Sequence, residues 1–377
     1  MAIEYLEIRD INREIIGVVD TAKSIIWHEV YYGVGDFEIY AKATPSNLFL
    51  LQKDRYVTRP DSNIIGIIEK IVIADNVQDG KMIIATGRFA KSILERRLIY
   101  KLSGKTNTPT ILRGNVEENI RRVVKENAIT CAFDSRRNIP ILELGASSQL
   151  PDIIVDDAGH AASKQVSYQN LLEYTDGMLQ EYDLSSVVYI DTDNTAKKLK
   201  YIVKKGVDRS ADNTAGLDPV VFSKEYDNLT DSEYSFDTST ERNVALIGGE
   251  GEGLARFYSL IAPNVNGLAR RELFVDASSI NKKYRDESEV EHEYTDAQYK
   301  TMLDTLGKQT LAPLIPTEIF NGTINVTAGN YIINRDFWLG DLVTVQENSL
   351  NLYINVRITE TTEVQDENGY SVEIMYE

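Results

Sequence analysis

Short segments in which apolar and polar residues alternate, each stopped by a turn signal, dominate both ends of this chain and commit those ends to antiparallel sheet. Successive side chains of a strand face opposite sides, so a period of two marks a half-buried strand. Tyr5-Leu6-Glu7-Ile8-Arg9 alternates and Asp10-Ile11-Asn12-Arg13 reads as a turn. Ile25 to Tyr32 runs into Gly33-Val34-Gly35-Asp36, a hairpin signal, and Phe37-Glu38-Ile39-Tyr40-Ala41 returns with strict alternation. Ile64 to Ile73 and Met82 to Thr86 extend the meander, which predicts a small barrel or sandwich. From Thr317 the pattern resumes: Ile319 to Val326, Leu342 to Val345, Leu352 to Ile358 and Val372 to Met375, with Asp366-Glu367-Asn368-Gly369 as a hairpin turn.

The middle of the chain reads differently. Phe89, Ile93 and Leu94 share a helical face over 88–97. Asn115 caps a helix with Val116, Ile120, Val123 and Val124 as its apolar stripe, Glu117 and Glu118 at its positive end, and Asn127 as its expected stop. A third helix is predicted over Ser167 to Tyr182, and strands at Val187–Ile190 and Lys200–Val203 flank the turn Asp191-Thr192-Asp193-Asn194. Thr295-Asp296-Ala297-Gln298 is a capping-box signature for a helix ending near Gly307. The expected fold class is α+β, mainly β, in four stretches. These are an N-terminal β-barrel (1–87), a central α/β region (88–243), strands with a charged connector and helix (244–310), and a C-terminal β-barrel segment (311–377).

Charge and composition narrow the function. The 377 residues carry a net charge of −18, which disfavours general binding to nucleic acid, because that binding rests on neutralising phosphates. The charge is uneven: Arg88 to Lys125 holds ten Lys/Arg against three Asp/Glu. Arg96, Arg97, Arg121 and Arg122 in that stretch are candidate interface residues for an acidic neighbour; a solvated basic face explains the count equally well. No apolar run is long enough to span a bilayer, and the N-terminus has no signal core, so synthesis and folding in a cytoplasm are expected. A single cysteine, Cys131, sits among apolar neighbours as a small core residue. Only His28, His160 and His292 are present. Asp156, Asp157 and His160 make the best metal cluster, though an ordinary polar loop accounts for them better. No catalytic residue, metal ligand or cofactor-binding residue is assigned.

The densest motif is Gly248-Gly249-Glu250-Gly251-Glu252-Gly253, following Asn243-Val244-Ala245-Leu246-Ile247. A strand feeding a glycine loop suggests phosphate binding. The loop's own carboxylates would repel a polyphosphate, the spacing is Gly-x-Gly-x-Gly, and no Gly-Lys-Ser/Thr follows. The residues after it, Leu254 to Leu260, alternate like a strand. The better reading is a hairpin whose backbone needs positive φ or a close approach, with Gly248, Gly249, Gly251 and Gly253 as structural or interface positions.

Several blocks in order resemble a known family. They are Trp27 with Tyr31-Tyr32-Gly33-Val34-Gly35-Asp36-Phe37-Glu38-Ile39, Gly87 to Arg97, Gly206-Val207-Asp208-Arg209 and Val221 to Leu229. Asn243 to Gly253, Leu339-Gly340-Asp341-Leu342-Val343-Thr344-Val345 and Val356-Arg357-Ile358-Thr359-Glu360 complete the series. Together they are similar to the phage tail-tip and baseplate hub proteins, the N-terminal hub part of tail-associated lysin-like proteins of long-tailed phages and related injection particles. The resemblance implies two small antiparallel β-barrels like tail-tube subunits, with inserted α/β domains. It implies a homotrimeric ring in the virion tail, joining a hexameric tube or distal tail protein above to a spike, fibre or lysin protein below. No membrane insertion and no specific nucleic-acid binding are implied. An acidic lumen would let DNA slide. The chain stops soon after its last β segment, so a non-enzymatic hub is expected. A peptidoglycan hydrolase, or a receptor- or carbohydrate-binding tail module, is the alternative.

Overall fold

The computed structural model describes residues 3–76, 80–155, 161–193, 195–285, 290–324, 331–348 and 352–376. The chain divides into two compact units, the first built from Met1–Ile154, Ala161–Glu233 and Phe320–Glu377, the second gathering Tyr234–Ile319.

In the first unit the alternating N-terminal segments form the expected meander. Ser62–Asn76 pairs with Gly80–Phe89, which pairs with Asp36–Lys42, which pairs with Ala22–Val30, all antiparallel. Leu6–Arg9 bridges Ile15–Val19 and Tyr56–Arg59. Alternation places Leu6, Ile8, Trp27, Phe37, Ile39 and Val57 in one buried cluster. Helix α1 (Pro45–Leu50) adds Leu50 to it, its first turn held by the Thr44 hydroxyl accepting from the Asn47 N–H at 3.1 Å.

The outer edge of Ala22–Val30 pairs with the C-terminal strand Leu352–Asp366, in the register Trp27↔Glu363. That strand also pairs with Gly369–Tyr376 and Leu342–Glu347. The first and last parts of the chain therefore share one ladder. The expected fold class holds in its coarse form, α+β and mainly β. The expected barrels differ: the largest sheet is one branched, mixed network of 16 strands, and among the described residues no ring of its pairings closes on itself.

The central α/β part packs α2 (Val116–Val124) and α3 (Leu171–Gln180) around a common core with strands Leu184–Ile190 and Leu199–Lys205. Asn115 caps α2 by accepting from the Glu118 N–H at 2.9 Å. Asn127 is not its stop: the helix passes into a π-turn over Lys125–Ile129, and the Asn127 side chain donates back to the Val123 carbonyl at 2.9 Å. Helix α3 begins later than expected because Asn170, not Ser167, is its cap. The segment after Gly87 stays in the sheet as far as Phe89 and then makes a tight 3-10 helix, Ala90–Arg96.

In the second unit Val244–Gly248 is the central strand, antiparallel to Tyr258–Ile261 and parallel to Glu272–Asp276. Helix α4 (Asp296–Leu311) begins with the predicted capping box at Thr295 and Gln298 and lays Tyr299 and Leu303 on Ala245, Ile247 and Val275. It runs through Gly307 instead of ending there. A Cβ at that glycine would lie 2.7 Å from Ile247 Cδ1, so Gly307 serves helix–sheet approach, not termination.

Candidate functional site

The glycine run forms the hairpin loop between the first two strands of the second unit. The Gly249 N–H donates to the Phe257 carbonyl at 2.8 Å and the Phe257 N–H to the Glu250 carbonyl at 3.0 Å. Gly251 (φ 101°) and Gly253 (φ 54°) sit in the region that favours glycine. Gly249 faces α4, where a Cβ would come 2.7 Å from the Tyr299 hydroxyl and 2.9 Å from Leu303 Cδ1. That hydroxyl accepts from the Glu250 N–H at 2.8 Å and donates to the Ile280 carbonyl at 2.5 Å. A Cβ at Gly248 would meet the Arg256 guanidinium at 2.8 Å. Arg256 donates to the Gly248 carbonyl (2.9 Å) and the Gly249 carbonyl (3.1 Å) and pairs with Asp276. The N–H groups of Gly249 and Glu250 are thus engaged inside the loop, and the cation binds its carbonyls. A phosphate cradle requires free N–H groups, and these two are not offered to one.

The four candidate arginines lie in the first unit and fall into two pairs. Arg96 and Arg97 line an open cleft of about 430 Å³ with Ile11, Tyr56, Ile139 and Ile141. Arg97 donates to the Arg137 carbonyl at 2.6 Å. Burial, and then the like charges of Arg137 and Arg96, lower its pKa. Arg121 and Arg122 do not line that cleft; they tie down backbone. Arg121 donates to the Gly145 carbonyl at 2.7 Å and Arg122 to the Ile111 carbonyl at 2.7 Å.

Sequence reasoning missed three polar clusters in the first unit. The buried Asp341 carboxylate accepts from the N–H groups of Val207 (2.8 Å) and Trp338 (3.0 Å) and from Arg209 Nε (3.1 Å). Beside it a Cβ on Gly206 would lie 1.6 Å from the Gly340 carbonyl oxygen. Two of the ordered blocks, Gly206–Arg209 and Leu339–Val345, therefore meet backbone to backbone. In the second cluster Arg59 pairs with Glu363 at 2.6 Å and with Asp61 at 2.7 Å, and Tyr370 donates to Glu363. The third surrounds a cavity of about 30 Å³ lined by Glu29, Lys91, Ser186 and Lys204. Burial raises the Glu29 pKa against the opposing pull of Lys204, and burial lowers both lysines. Lys91 is held by Asp176 at 3.0 Å. In the sequence each of these residues looks like an ordinary surface charge; only the glycines beside Asp341 hint at a close approach.

Asp156, Asp157 and His160 lie outside the described residues. Among the described residues no group of three or more His, Cys, Asp or Glu side chains could hold a metal ion, and no helix is long and apolar enough to cross a membrane. Cys131 is buried, with its sulfur 3.7 Å from Arg137 Nη1.

The described residues thus show a strand network that ties both chain ends together, glycines at close approaches and enclosed ion pairs. The family model for Siphovirus ReqiPepy6 Gp37-like proteins matches residues 5–376, and the chain belongs to that family. A tail protein from Neisseria meningitidis MC58 has a similar structure, with a TM-score of 0.56 at 11% identity, covering 99% of this chain and 95% of that one. The 43 kDa tail protein of prophage MuSo2 from Shewanella oneidensis gives a TM-score of 0.57 at 10% identity, covering 99% and 98%. At such identities the likeness is one of fold, and the fold is that of phage tail proteins. No protein with a curated description matches the chain.

Proposed function

We propose that this chain is a structural component of the virion tail: a tail-tip or baseplate hub that assembles as a homotrimeric ring between the hexameric tail tube and a central spike or tip. The observation that carries this reading is the fold, which follows two solved tail proteins, one of them from a prophage, over 99% of the chain. The β-rich ends, 1–87 and 311–377, are its tube-like modules, each supplying three of six positions to a ring that meets a hexamer. The shared ladder of Ala22–Val30 with Leu352–Asp366 supports that role by holding the two modules as one body. The glycine loop and the arginines at 96, 97, 121 and 122 act in backbone geometry and contact, not in chemistry. Arg121 and Arg122 already bind backbone carbonyls within the chain, which fits a scaffold.

Gold-labelled antibody against the chain, applied to intact particles, tests the assignment. Label at the distal end of the tube is expected. Label along the tube or on the capsid would reject the hub.

A further inference from the structure

The second unit carries the same tetrapeptide twice, Gly253-Leu254-Ala255-Arg256 and Gly267-Leu268-Ala269-Arg270. Both copies fold alike. Each follows an extended residue, Glu252 or Asn266, and makes one 3-10 turn. Each glycine has positive φ, 54° and 59°. Each arginine N–H closes the turn on its glycine carbonyl, at 3.4 and 3.2 Å. The outcome is also the same: Leu254 and Leu268 are fully exposed, at 109% and 101%. One exposed leucine needs no explanation, but the same glycine turn built twice to hold a leucine in water does.

The two turns lie at opposite ends of the three-stranded sheet. The first joins Gly248 to Tyr258; the second joins Ile261 to Glu272, beside Val244 at the start of the central strand. They also differ in charge. With its partner Asp276, the first end holds Glu250, Glu252 and Arg256, net −2. The second holds Arg242, Arg270 and Arg271 with the partners Glu241 and Glu272, net +1. Between them Leu260, Leu246 and Phe274 sit in register across the three strands, each 40–51% exposed.

A ring of identical subunits needs two different, complementary surfaces on each copy, whereas a two-fold pair needs one surface that matches itself. We propose that these two ends are the two halves of a head-to-tail contact between copies of this chain. The acidic turn carrying Leu254 docks on the basic end carrying Leu268 of the next copy, and the apolar row of the sheet is covered alongside. The proposal rests on the trimeric reading above and adds the surface that closes the ring.

Light scattering on Leu254→Asp, Leu268→Asp and their equimolar mixture tests it. The full chain is expected to run as three copies. Each variant alone is expected to be monomeric, its association weakened roughly tenfold or more by the loss of an apolar anchor. In the mixture, the intact acidic end of Leu268→Asp meets the intact basic end of Leu254→Asp, so a two-chain species that cannot close is expected. The far-UV circular dichroism spectrum should match the parent, since neither leucine is packed within the chain and the fold of each copy is retained. Variants that remain trimeric would overturn this surface and leave the trimer standing. A mixture without a two-chain species would overturn the head-to-tail pairing. A parent chain that is monomeric would overturn both readings.

Discussion

Asp341 is a buried carboxylate with three donors and one job. Two of those donors are backbone N–H groups of Val207 and Trp338, segments 131 residues apart, and the third is Arg209. Asp341→Ala leaves both amides and the guanidinium without their acceptor, a loss of about 3 kcal/mol in urea unfolding; a loss below about 1 kcal/mol would contradict the geometry. The glycine loop makes a second residue-scale prediction. Gly249→Ala forces a methyl group to 2.7 Å from the Tyr299 hydroxyl and should destabilise the second unit by about 1–3 kcal/mol, read as faster amide exchange in α4. Unchanged exchange there would refute it. Glu29 makes a third, in pH. Burial raises its pKa above 4.5, so the folded chain keeps the proton where the unfolded chain has released it. The stability from neutral Glu29 is therefore complete below about pH 4.5 and is lost as pH rises through the raised value. Glu29→Gln keeps the neutral form at every pH. Its stability relative to the parent should rise from pH 4.5 to pH 8, and a pH-independent difference would exclude this account.

At the scale of elements, the strands Tyr56–Arg59 and Leu352–Asp366 are strapped by the Arg59–Glu363 pair, whose side chains are 3% and 2% exposed. Glu363→Ala strands a buried guanidinium that keeps Asp61 as its ion-pair partner and the Trp27 ring beside it, and should cost about 3–5 kcal/mol in chemical unfolding. A cost near that of a surface pair, under about 1 kcal/mol, would show that the strap carries no weight. What was legible in advance was local. The strand patterns at Ile25–Tyr32, Phe37–Ala41 and Val372–Met375 fell within or beside the observed strands Ala22–Val30, Asp36–Lys42 and Gly369–Tyr376, because a period of two needs no knowledge of the partner. Asn115 and Thr295 marked helix starts, because a cap acts within one turn. Gly307 was misread because its glycine answers to Ile247 across the interface and not to its own helix. The pairing of Trp27 with Glu363 was invisible for the same reason: nothing in either segment names a partner more than three hundred residues away. The arginines at 96, 97, 121 and 122 stood out as a charge cluster, yet the structure uses them in two different settings. Arg59, Glu363 and Asp341, which the fold encloses, look like surface residues on paper.

At the scale of the whole molecule, the two ends of the chain share one sheet and the second unit carries its own three-stranded sheet. Its family is a siphovirus family, and its fold is that of phage tail proteins. The hub reading asks this chain to do one thing that few other tail roles require, which is to assemble in threes against a sixfold tube. Light scattering of the purified full chain, alone and with its tail-tube protein, measures that directly. The account predicts a mass of three chains, retained when the tube protein is added. A chain that stays monomeric at high concentration and with tube protein present would contradict it.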